Sequence, residues 1–331
     1  MSILVLGGTA WLGGHVARAG LAAGHDVTCL ARGESGSVPD GARLVLGDRT
    51  TSEGYAGLSP TQEWDLVVDV SRQPGQVRTA LEALSSRTRS WVFVSSGSVY
   101  ADHSKPGDDE SAELLPALVG DVGSEAEYGQ AKVACEALVT SARDGRALVA
   151  RCGLIAGAGD VSDRLGYWPG RFALAARDHG PVLVPERDDR PSQFVHVEDL
   201  AVWLVRAGLA GTTGILDAYG PVQPIREVLE VSKRLAGFTG ETVPFSDERL
   251  QAAGVEEYMG PRSLPLWIAD PQWQGFSARS SERARAAGLT TRPIEDTLRD
   301  ALDWERELGV DRTDRRAGLT RADELALIDA V

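Results

Sequence analysis

The stretch Ile3-Leu4-Val5-Leu6-Gly7-Gly8-Thr9-Ala10-Trp11-Leu12-Gly13 decides the fold, because it predicts a buried strand, a glycine turn and a helix start in succession. The four apolar residues predict a strand inside a parallel sheet. Gly7 lets the chain turn tightly off that strand, and N–H groups at the new helix start can hold a pyrophosphate. Gly13 allows the helix to pack close to the sheet. With a second strand predicted over residues 26–30, this order is typical of a dinucleotide-binding unit.

The end of the second predicted strand bears on which dinucleotide is bound. NAD-binding proteins usually carry an acid there, which holds the ribose 2′-OH. This chain has Ala31-Arg32-Gly33 instead. An arginine suits a 2′-phosphate, so we expect NADP(H) and consider NAD(H) less favoured. The alternative is that Arg32 is a solvated surface residue. Ala10 replaces the middle glycine of the usual turn, which narrows the approach of a pyrophosphate without blocking it.

The alternation of strands and helices continues to residue 150 and predicts a doubly wound parallel sheet. Further strands are predicted over residues 43–46, 66–70, 91–94 and 147–150, and helices over 74–85 and 127–142. Ligands of such sheets bind beyond the C-terminal ends of the strands. The residues that follow the predicted strands should therefore meet at one edge; they are Gly7, Arg32, Asp48, Ser71, Ser96 and Cys152.

The pattern changes after Gly157, where Gly, Pro, Arg and aromatic residues become frequent. We therefore predict the α/β class, with a Rossmann-type doubly wound parallel sheet and a smaller, interleaved C-terminal substrate lobe. The dinucleotide-binding domain is predicted over 1–157, with 193–219 returning to it. The substrate lobe is predicted mainly over 158–192 and 220–331. No low-complexity linker separates the two.

Charge and composition limit the partners. The chain has 331 residues, with 34 basic against 48 acidic side chains and a net charge of −14. Such a surface repels phosphate backbones, so no nucleic acid partner is expected. No apolar run reaches the roughly 18 residues that a membrane span needs, and no secretion signal precedes the first strand. We expect no membrane association and a cytoplasmic protein. The three cysteines show no disulfide or zinc pattern, and no metal is expected.

The pair Tyr128 and Lys132 lies on the predicted helix 127–142. Residues four apart project from the same face of a helix, one turn from each other. An ammonium beside a phenol favours its ionised form, so the pair can exchange a proton with a substrate oxygen near neutral pH. The pattern is common by chance, and the alternative is an exposed tyrosine and a solvated lysine on an amphipathic helix.

Four motifs in the right order carry a family resemblance: the turn at 7–13, Ser95-Ser96-Gly97-Ser98-Val99-Tyr100, the pair at 128–132, and Val195-His196-Val197-Glu198-Asp199-Leu200. Together they span most of the first 210 residues. The chain resembles the extended short-chain dehydrogenase/reductase superfamily, in its NAD-dependent epimerase/dehydratase-like group. The glycine turn, residues 163–169 and residues 294–307 are similar to a subgroup of bacterial isoflavone-reductase-like proteins that also contains chloroplast RNA-binding relatives.

The resemblance implies a role for each matching residue. Tyr128 would be the general acid/base, Lys132 would bind the nicotinamide ribose and activate the tyrosine, and Ser96 would hydrogen-bond the reacting oxygen. These three are the candidate catalytic residues. The candidate cofactor-binding residues are Gly7, Thr9, Ala10, Trp11, Leu12, Arg32, Asp48, Arg49, Ser71, Tyr128, Lys132 and Cys152. In this set Asp48 and Arg49 would flank the adenine, and Ser71 the ribose on the nicotinamide side.

Departures from the family pattern bear on the substrate. Sugar-nucleotide dehydratases carry Asp-Glu directly after the catalytic Ser or Thr, whereas this chain has Gly97-Ser98. Sugar-nucleotide epimerases usually have an asparagine after the sixth strand, where Cys152-Gly153 stands here. They also often have an arginine at the position of Ser192. UDP- and dTDP-sugars are therefore disfavoured as substrates.

The function predicted is an enzyme: an NADP(H)-dependent oxidoreductase that reduces a carbonyl or oxidises a secondary alcohol of a small cyclic or aromatic molecule. One alternative is an epimerase or isomerase with tightly bound NAD(P). Another is a non-enzymatic NADP-binding regulatory or RNA-binding relative. A monomer or a homodimer is expected. Tyr167, Trp168 and Arg171 either line the pocket or pack the lobes together, and His196 is interpreted as a packed histidine more readily than as a base.

Overall fold

The computed structural model describes residues 1–330, and its strands lie at the positions that follow. In chain order they are β1 (Ser2–Leu6), β2 (Asp26–Ala31), β3 (Arg43–Leu46), β4 (Trp64–Asp69), β5 (Thr88–Ser96), β6 (Ala147–Cys152), β7 (Leu154–Ala156), β8 (Val182–Pro185), β9 (Pro191–His196), β10 (Gly214–Ala218), β11 (Val222–Pro224), β12 (Thr242–Phe245), β13 (Glu256–Tyr258) and β14 (Ser263–Pro265).

The helices alternate with these strands in the first half of the chain and dominate its end. In chain order they are α1 (Trp11–Ala22), α2 (Pro74–Leu84), α3 (Tyr128–Ala142), α4 (Tyr167–Asp178), α5 (Val197–Leu209), α6 (Ile225–Ala236), α7 (Asp247–Ala252), α8 (Glu282–Ala286), α9 (Ile294–Leu308) and α10 (Arg321–Asp329).

Seven of the strands form one parallel sheet in the order β10-β6-β5-β4-β1-β2-β3. Successive side chains of a strand face opposite sides. Ile3 and Val5 accordingly enter a core built with α1 and α5, while Leu4 and Leu6 enter a core built with α2 and α3. Both faces of the sheet are thus covered by helices. This arrangement confirms the predicted Rossmann-type α/β fold class.

A separate apolar core joins residues of the C-terminal half. It contains α4, α6 and α9 side chains together with β8 and β12, and Trp168 and Trp267 are fully buried in it. The Trp168 indole N–H donates to the carbonyl of Pro265 at 2.8 Å, so its one polar atom is satisfied inside the core. Between the two regions the chain returns, because β10 lies beside β6 at the edge of the large sheet. The exact domain boundaries stay a prediction.

The strands of the large sheet run further than their apolar stretches predict. β5 extends to Ser96 and β6 to Cys152, because the polar side chains at these ends find buried partners. The Ser95 hydroxyl donates to Glu136 at 2.5 Å, and the Arg151 guanidinium lies 2.7 Å from the same carboxylate. A buried charge is tolerated where it is paired and hydrogen-bonded in this way.

No helix within residues 1–330 is both long enough and apolar enough to cross a membrane.

Candidate functional site

Two adjoining cavities lie at the C-terminal edge of the sheet. The first, of about 520 Å³, is lined by Ser96 and is called here the Ser96 cavity. The second, of about 560 Å³, is lined by Arg32 and is called the Arg32 cavity. Four residues border both: Ala10, Val70, Arg72 and Tyr128. The two cavities therefore form one elongated cleft, as expected for a doubly wound sheet.

The glycine turn after β1 accepts no side chains at its critical positions. Gly7 has a φ of +94°, in the region that favours glycine. A β-carbon on Gly13 would lie 2.2 Å from the carbonyl oxygen of Gly7, so α1 packs directly on the turn. Ala10 precedes α1 and offers no side-chain cap to the first amides of the helix. These N–H groups border the cleft and are free to bind an anion such as a pyrophosphate.

Arg32 lies just beyond β2, and its side chain is 54% exposed at the Arg32 cavity. Its guanidinium already pairs with Glu34 at 3.1 Å, a residue that also lines this cavity. A cofactor phosphate would compete with Glu34 for the arginine. The sequence pattern singled out the arginine alone, because Glu34 lies beyond the position where an acid is usually sought.

Asp48 and Arg49 lie next to each other after β3 but face different surroundings. Asp48 is exposed, and the backbone N–H of Thr50 donates to its carboxylate at 3.0 Å, which lowers the pKa of Asp48. Arg49 is buried and directed towards Asp69, with one N–H 3.2 Å from that carboxylate, and it also donates to the hydroxyl of Ser71. The Arg49 guanidinium thus fixes the end of β4 as well as lining the Arg32 cavity.

Asp69, at the end of β4, holds two residues of the Arg32 cavity in place, and sequence reasoning missed it. It is fully buried, and it accepts the backbone N–H of Ser71 at 3.0 Å in addition to Arg49. Within residues 1–330 its second oxygen has no hydrogen-bond partner. A charge held in this way stabilises the turn that presents Ser71 to the cleft. The sequence feature that could have identified it is an aspartate at the end of an apolar strand.

Lys132 is buried in α3, with only 3% of its surface exposed. Its side-chain nitrogen donates to the carbonyl oxygen of Ser71 at 2.6 Å and to that of Val94 at 2.7 Å. An ammonium has three donors, so the two carbonyls leave one for a ligand in the Ser96 cavity, which Lys132 lines. The lysine is therefore not the solvated surface residue of the alternative interpretation.

Tyr128 is the first residue of α3 and lies where the two cavities meet. The Lys132 nitrogen is 6.0 Å from the centre of the Tyr128 ring. The exposed guanidinium of Arg72 is 5.2 Å from the same ring centre. Two cations therefore lie near the phenol ring. Arg72 was missed by sequence reasoning, because a single arginine after a strand has no distinctive pattern.

Ser96 ends β5 and begins the short turn Gly97–Val99. Its hydroxyl accepts the backbone N–H of Ser98 at 3.2 Å and donates to the Ser98 hydroxyl at 3.1 Å. Ser96, Ser98, Tyr128 and Lys132 all line the Ser96 cavity, so the structure brings the three predicted catalytic residues to one space. To donate a hydrogen bond to a ligand, the Ser96 hydroxyl must give up its hydrogen bond to Ser98.

Tyr219 fills the space beside Ser96, and it was missed by sequence reasoning. A β-carbon on Gly97 would lie 1.7 Å from the Tyr219 hydroxyl, and one on Gly153 would lie 2.3 Å from its ring. Burial raises the pKa of Tyr219, so its hydroxyl stays a proton donor. Cys152, next to Gly153, lines the same cavity, and burial raises its pKa to about 12. These contacts explain why glycines stand at 97 and 153.

The residues left open by the sequence lie outside the cleft. Arg171 donates to Glu324 at 3.0 Å, and Tyr167 packs with it beside the C-terminal helix. His196 caps α5 through a ring nitrogen that accepts the Glu198 N–H at 3.2 Å, and its other ring nitrogen lies 3.0 Å from Asp300. With Trp168 in the second core, none of these predicted aromatic or basic residues borders either cavity in the described chain.

The loop over residues 102–113, called here the acidic loop, is bound on one side to the C-terminal half. The Gly107 N–H donates to Ala278 at 2.7 Å, and the His103 carbonyl accepts the Gly275 N–H at 2.6 Å. His103 also stacks on Trp273, with ring centres 4.7 Å apart. These contacts hold the segment that carries Phe276 into the wall of the Ser96 cavity. No group of three or more potential metal ligands was found among residues 1–330.

Fold and cleft together define an enzyme of the extended short-chain dehydrogenase/reductase kind, built on a nicotinamide-dinucleotide-binding sheet. The sequence profile of the NAD dependent epimerase/dehydratase family matches residues 3–214, and the chain belongs to this family. The family match confirms the predicted superfamily and the prediction of an enzyme. The isoflavone-reductase-like subgroup stays a prediction. No curated protein sequence matches the chain significantly.

Solved structures share the fold at low sequence identity. A provisionally described epimerase from Burkholderia cenocepacia J2315 is 21% identical, with a TM-score of 0.69. The match covers 92% of this chain and 98% of the epimerase chain. The UDP-Glc/GlcNAc 4-epimerase of Campylobacter jejuni is 17% identical with a TM-score of 0.67, at 92% and 99% coverage. UDP-glucuronic acid 4-epimerase of Bacillus cereus, solved with NAD, is 15% identical with a TM-score of 0.65, at 93% and 99% coverage.

Proposed function

We propose that the protein is an NADP(H)-dependent oxidoreductase that reduces a carbonyl, or oxidises a secondary alcohol, of a small cyclic or aromatic molecule. Ser96, Tyr128 and Lys132 are the proposed catalytic residues. The observation that carries the proposal is the burial of Lys132, whose nitrogen is held by two carbonyls with one donor left towards the cavity that Tyr128 and Ser96 also line. A lysine is almost never fully buried unless it is paired, so this placement favours a functional role.

The cleft suits a nicotinamide dinucleotide. The free amides at the start of α1 and the glycine turn would hold its pyrophosphate, Asp48 would lie by the adenosine end, and Lys132 with Ser71 by the nicotinamide ribose. Arg32 would bind a 2′-phosphate, which supports NADP(H), although Glu34 would have to release it. When bound, the cofactor supplies or accepts a hydride at the substrate carbon.

The protein's own part in the reduction concerns the substrate oxygen. Ser96 would hydrogen-bond that oxygen, and Tyr128 would donate the proton that the oxygen needs as it becomes a hydroxyl. Tyr128 would then carry a negative charge, with the Arg72 and Lys132 cations 5.2 and 6.0 Å from the centre of its ring. In the oxidative direction Tyr128 would take the proton back. General acid/base groups of this kind typically contribute roughly 10²–10⁴-fold in rate.

An epimerase that oxidises and re-reduces one substrate is the second candidate, and the shared fold with sugar-nucleotide epimerases favours it. The lining of the Ser96 cavity argues against UDP-sugars as substrates. Gly97 and Gly153 carry no functional side chain there, and the Tyr219 ring takes their space. Ser192 donates to the carbonyl of Gln223 at 3.1 Å and supplies no cation for a diphosphate.

Stoichiometry separates the two candidates. A panel of cyclic and aromatic ketones and aldehydes is incubated with NADPH, and consumption of NADPH is followed by absorbance beside product formation. A reductase consumes one NADPH for each alcohol formed. UDP-glucose and UDP-glucuronic acid are assayed in parallel by chromatography. Turnover of a sugar nucleotide at an ordinary enzymatic rate, without net NADPH consumption, would overturn the reductase proposal.

A further inference from the structure

We propose that the substrate carries a carboxylate, and that Arg164 binds it at the far end of the Ser96 cavity. This inference rests on the proposed function, because it names the class of its substrate: a small cyclic or aromatic carbonyl compound with an acidic group. Arg164 lies in the loop between β7 and α4 and lines the Ser96 cavity. It lies outside the four motifs that carry the superfamily resemblance, within residues 163–169, which are similar to the bacterial subgroup.

Arg164 is a cation without an acid partner. Within residues 1–330 no carboxylate oxygen lies within 4 Å of its guanidinium, whose one hydrogen bond goes from Nε to the Ser162 hydroxyl at 3.1 Å. Arginines elsewhere in this acidic chain are mostly paired; Arg279, for example, is buried against Asp217 at 2.9 Å. A half-buried arginine whose terminal N–H groups are unused in a cleft has donors to offer a ligand.

The guanidinium is also held in position. Its carbon lies 5.2 Å from the centre of the Tyr258 ring, a cation–π contact. Tyr258 has a φ of +66°, a left-handed conformation that is costly for a tyrosine and persists only where its surroundings fix it. Its N–H donates to the carbonyl of Trp267 at 3.0 Å, and Phe276 meets its ring edge-on at 5.2 Å. The planar fork of an arginine placed in this way suits a carboxylate.

Asp160, which also lines the Ser96 cavity, orients Arg164 through the Ser162 hydroxyl. Asp160 accepts the N–H of Ser162 at 2.8 Å and its hydroxyl at 2.9 Å, and that hydroxyl in turn accepts from Arg164. The chain Asp160–Ser162–Arg164 thus fixes Nε and leaves the other guanidinium nitrogens towards the cavity. Burial raises the pKa of the Asp160 carboxyl above its usual value.

The aromatic residues beside Arg164 favour the substrate over the cofactor as the source of the anion, although the start of α1, proposed to hold the pyrophosphate, borders the same cavity. Arg164 lines only the Ser96 cavity, whereas Arg32 lines only the Arg32 cavity and Arg72 lines both. The aromatic wall beside Arg164, formed by Tyr258 and Phe276, suits a flat ring next to the carboxylate.

Calorimetry on the NADP⁺-loaded protein tests this inference directly. Benzoate, its neutral counterpart benzamide, and UDP are titrated into the parent protein and into Arg164→Gln. We expect benzoate to bind more tightly than benzamide. Loss of a charged hydrogen-bonded partner should weaken benzoate in Arg164→Gln by about ten- to hundredfold, with benzamide unchanged. Arg89→Gln, at the exposed start of β5 and the opposite edge of the sheet, is the matched control and should bind benzoate like the parent.

Equal affinities for benzoate and benzamide, no measurable benzoate binding, or unchanged binding in Arg164→Gln would overturn the inference. So would UDP binding that depends on Arg164 and exceeds that of benzoate, since it would point to a nucleotide substrate. This binding measurement is independent of turnover. If benzoate binding depends on Arg164 but no carbonyl is reduced, the anion site stands and the proposed reaction fails. If only neutral ketones are reduced and benzoate binding does not depend on Arg164, the proposed reaction stands and the anion site fails.

Discussion

The hydroxyl of Tyr219 occupies the place where a side chain at Gly97 would begin, because a β-carbon there would lie 1.7 Å from the phenol oxygen. The two residues come from different parts of the chain, the end of β10 and the turn after β5. Dehydratases of the resembled family carry an acid at the position of Gly97. In this protein the buried Tyr219 takes that space, and its hydroxyl is an uncharged hydrogen-bond donor beside Ser96.

Gly97→Ala tests this contact through stability. Forcing a methyl group into the space should lower the free energy of unfolding by about 1–3 kcal/mol. Adding Tyr219→Phe should recover part of the loss, because it removes the colliding oxygen and leaves the ring carbon, 3.0 Å away, as the next atom. Urea unfolding of both single variants and the double variant gives the coupling energy. Strictly additive losses would show that the two residues do not compete for space.

Cofactor preference tests the role of Arg32. We expect the protein to bind NADPH more tightly than NADH, and Arg32→Gln to weaken NADPH by about ten- to hundredfold with little effect on NADH. Glu34→Gln should strengthen NADPH binding, because Glu34 lies 3.1 Å from Arg32 and would repel a phosphate. Calorimetric titration measures each affinity. If the parent binds NADH as tightly as NADPH, Arg32 has no phosphate to hold.

Lys132→Met tests the link between rate and cofactor. The variant should lose turnover and NADPH affinity together, since the lost ammonium is proposed to contact the ribose and to stabilise the ionised tyrosine. It should also lose about 1–3 kcal/mol of stability, because the carbonyls of Ser71 and Val94 lose their partner. Lys105→Met, at an exposed lysine on the acidic loop, is the control. Undiminished NADPH affinity in Lys132→Met would remove the lysine from the cofactor site.

The cysteines give a prediction for pH. Burial raises the pKa of Cys29 to about 11, and that of Cys135 and Cys152 to about 12, from a usual value of 9.0. The folded protein therefore keeps protons that the unfolded chain loses first, so the thiols favour the fold below pH 9 and the free energy of unfolding should fall as pH rises beyond it. At neutral pH iodoacetamide should leave all three unmodified by mass spectrometry. Rapid alkylation of Cys152 with loss of activity would contradict its assignment as a wall residue.

The sequence predicted the sheet well because parallel strands are short apolar runs between glycine turns, and β1, β3 and α2 lie where such patterns placed comparable elements. It also predicted that Ser96, Tyr128 and Lys132 would meet, since strand ends and helix starts share one edge of the sheet. It could not find Tyr219 or Arg164. Arg164 reaches the cleft from a loop and Tyr219 from just beyond β10, and in both places long-range packing decides which residue borders the cleft.

The same limit applies to pairings. The sequence predicted that Arg32 is a cation at a strand end. Its contact with Glu34 could not be predicted, because it depends on side-chain geometry beyond the strand. The engagement of the Ser96 hydroxyl by Ser98 likewise depends on the turn that follows β5.

Tyr128→Phe, assayed by single-turnover reduction of a carbonyl substrate with bound NADPH, tests the central claim most directly. The variant loses only a hydroxyl, so its fold and NADPH affinity should stay close to those of the parent. Tyr167→Phe is the matched control, because the Tyr167 hydroxyl is buried without a partner within residues 1–330 and lies outside the cleft. We predict that Tyr128→Phe slows the step by roughly 10²–10⁴-fold while Tyr167→Phe does not. A Tyr128→Phe enzyme that reduces the substrate at the parental rate would show that Tyr128 is not the proton donor.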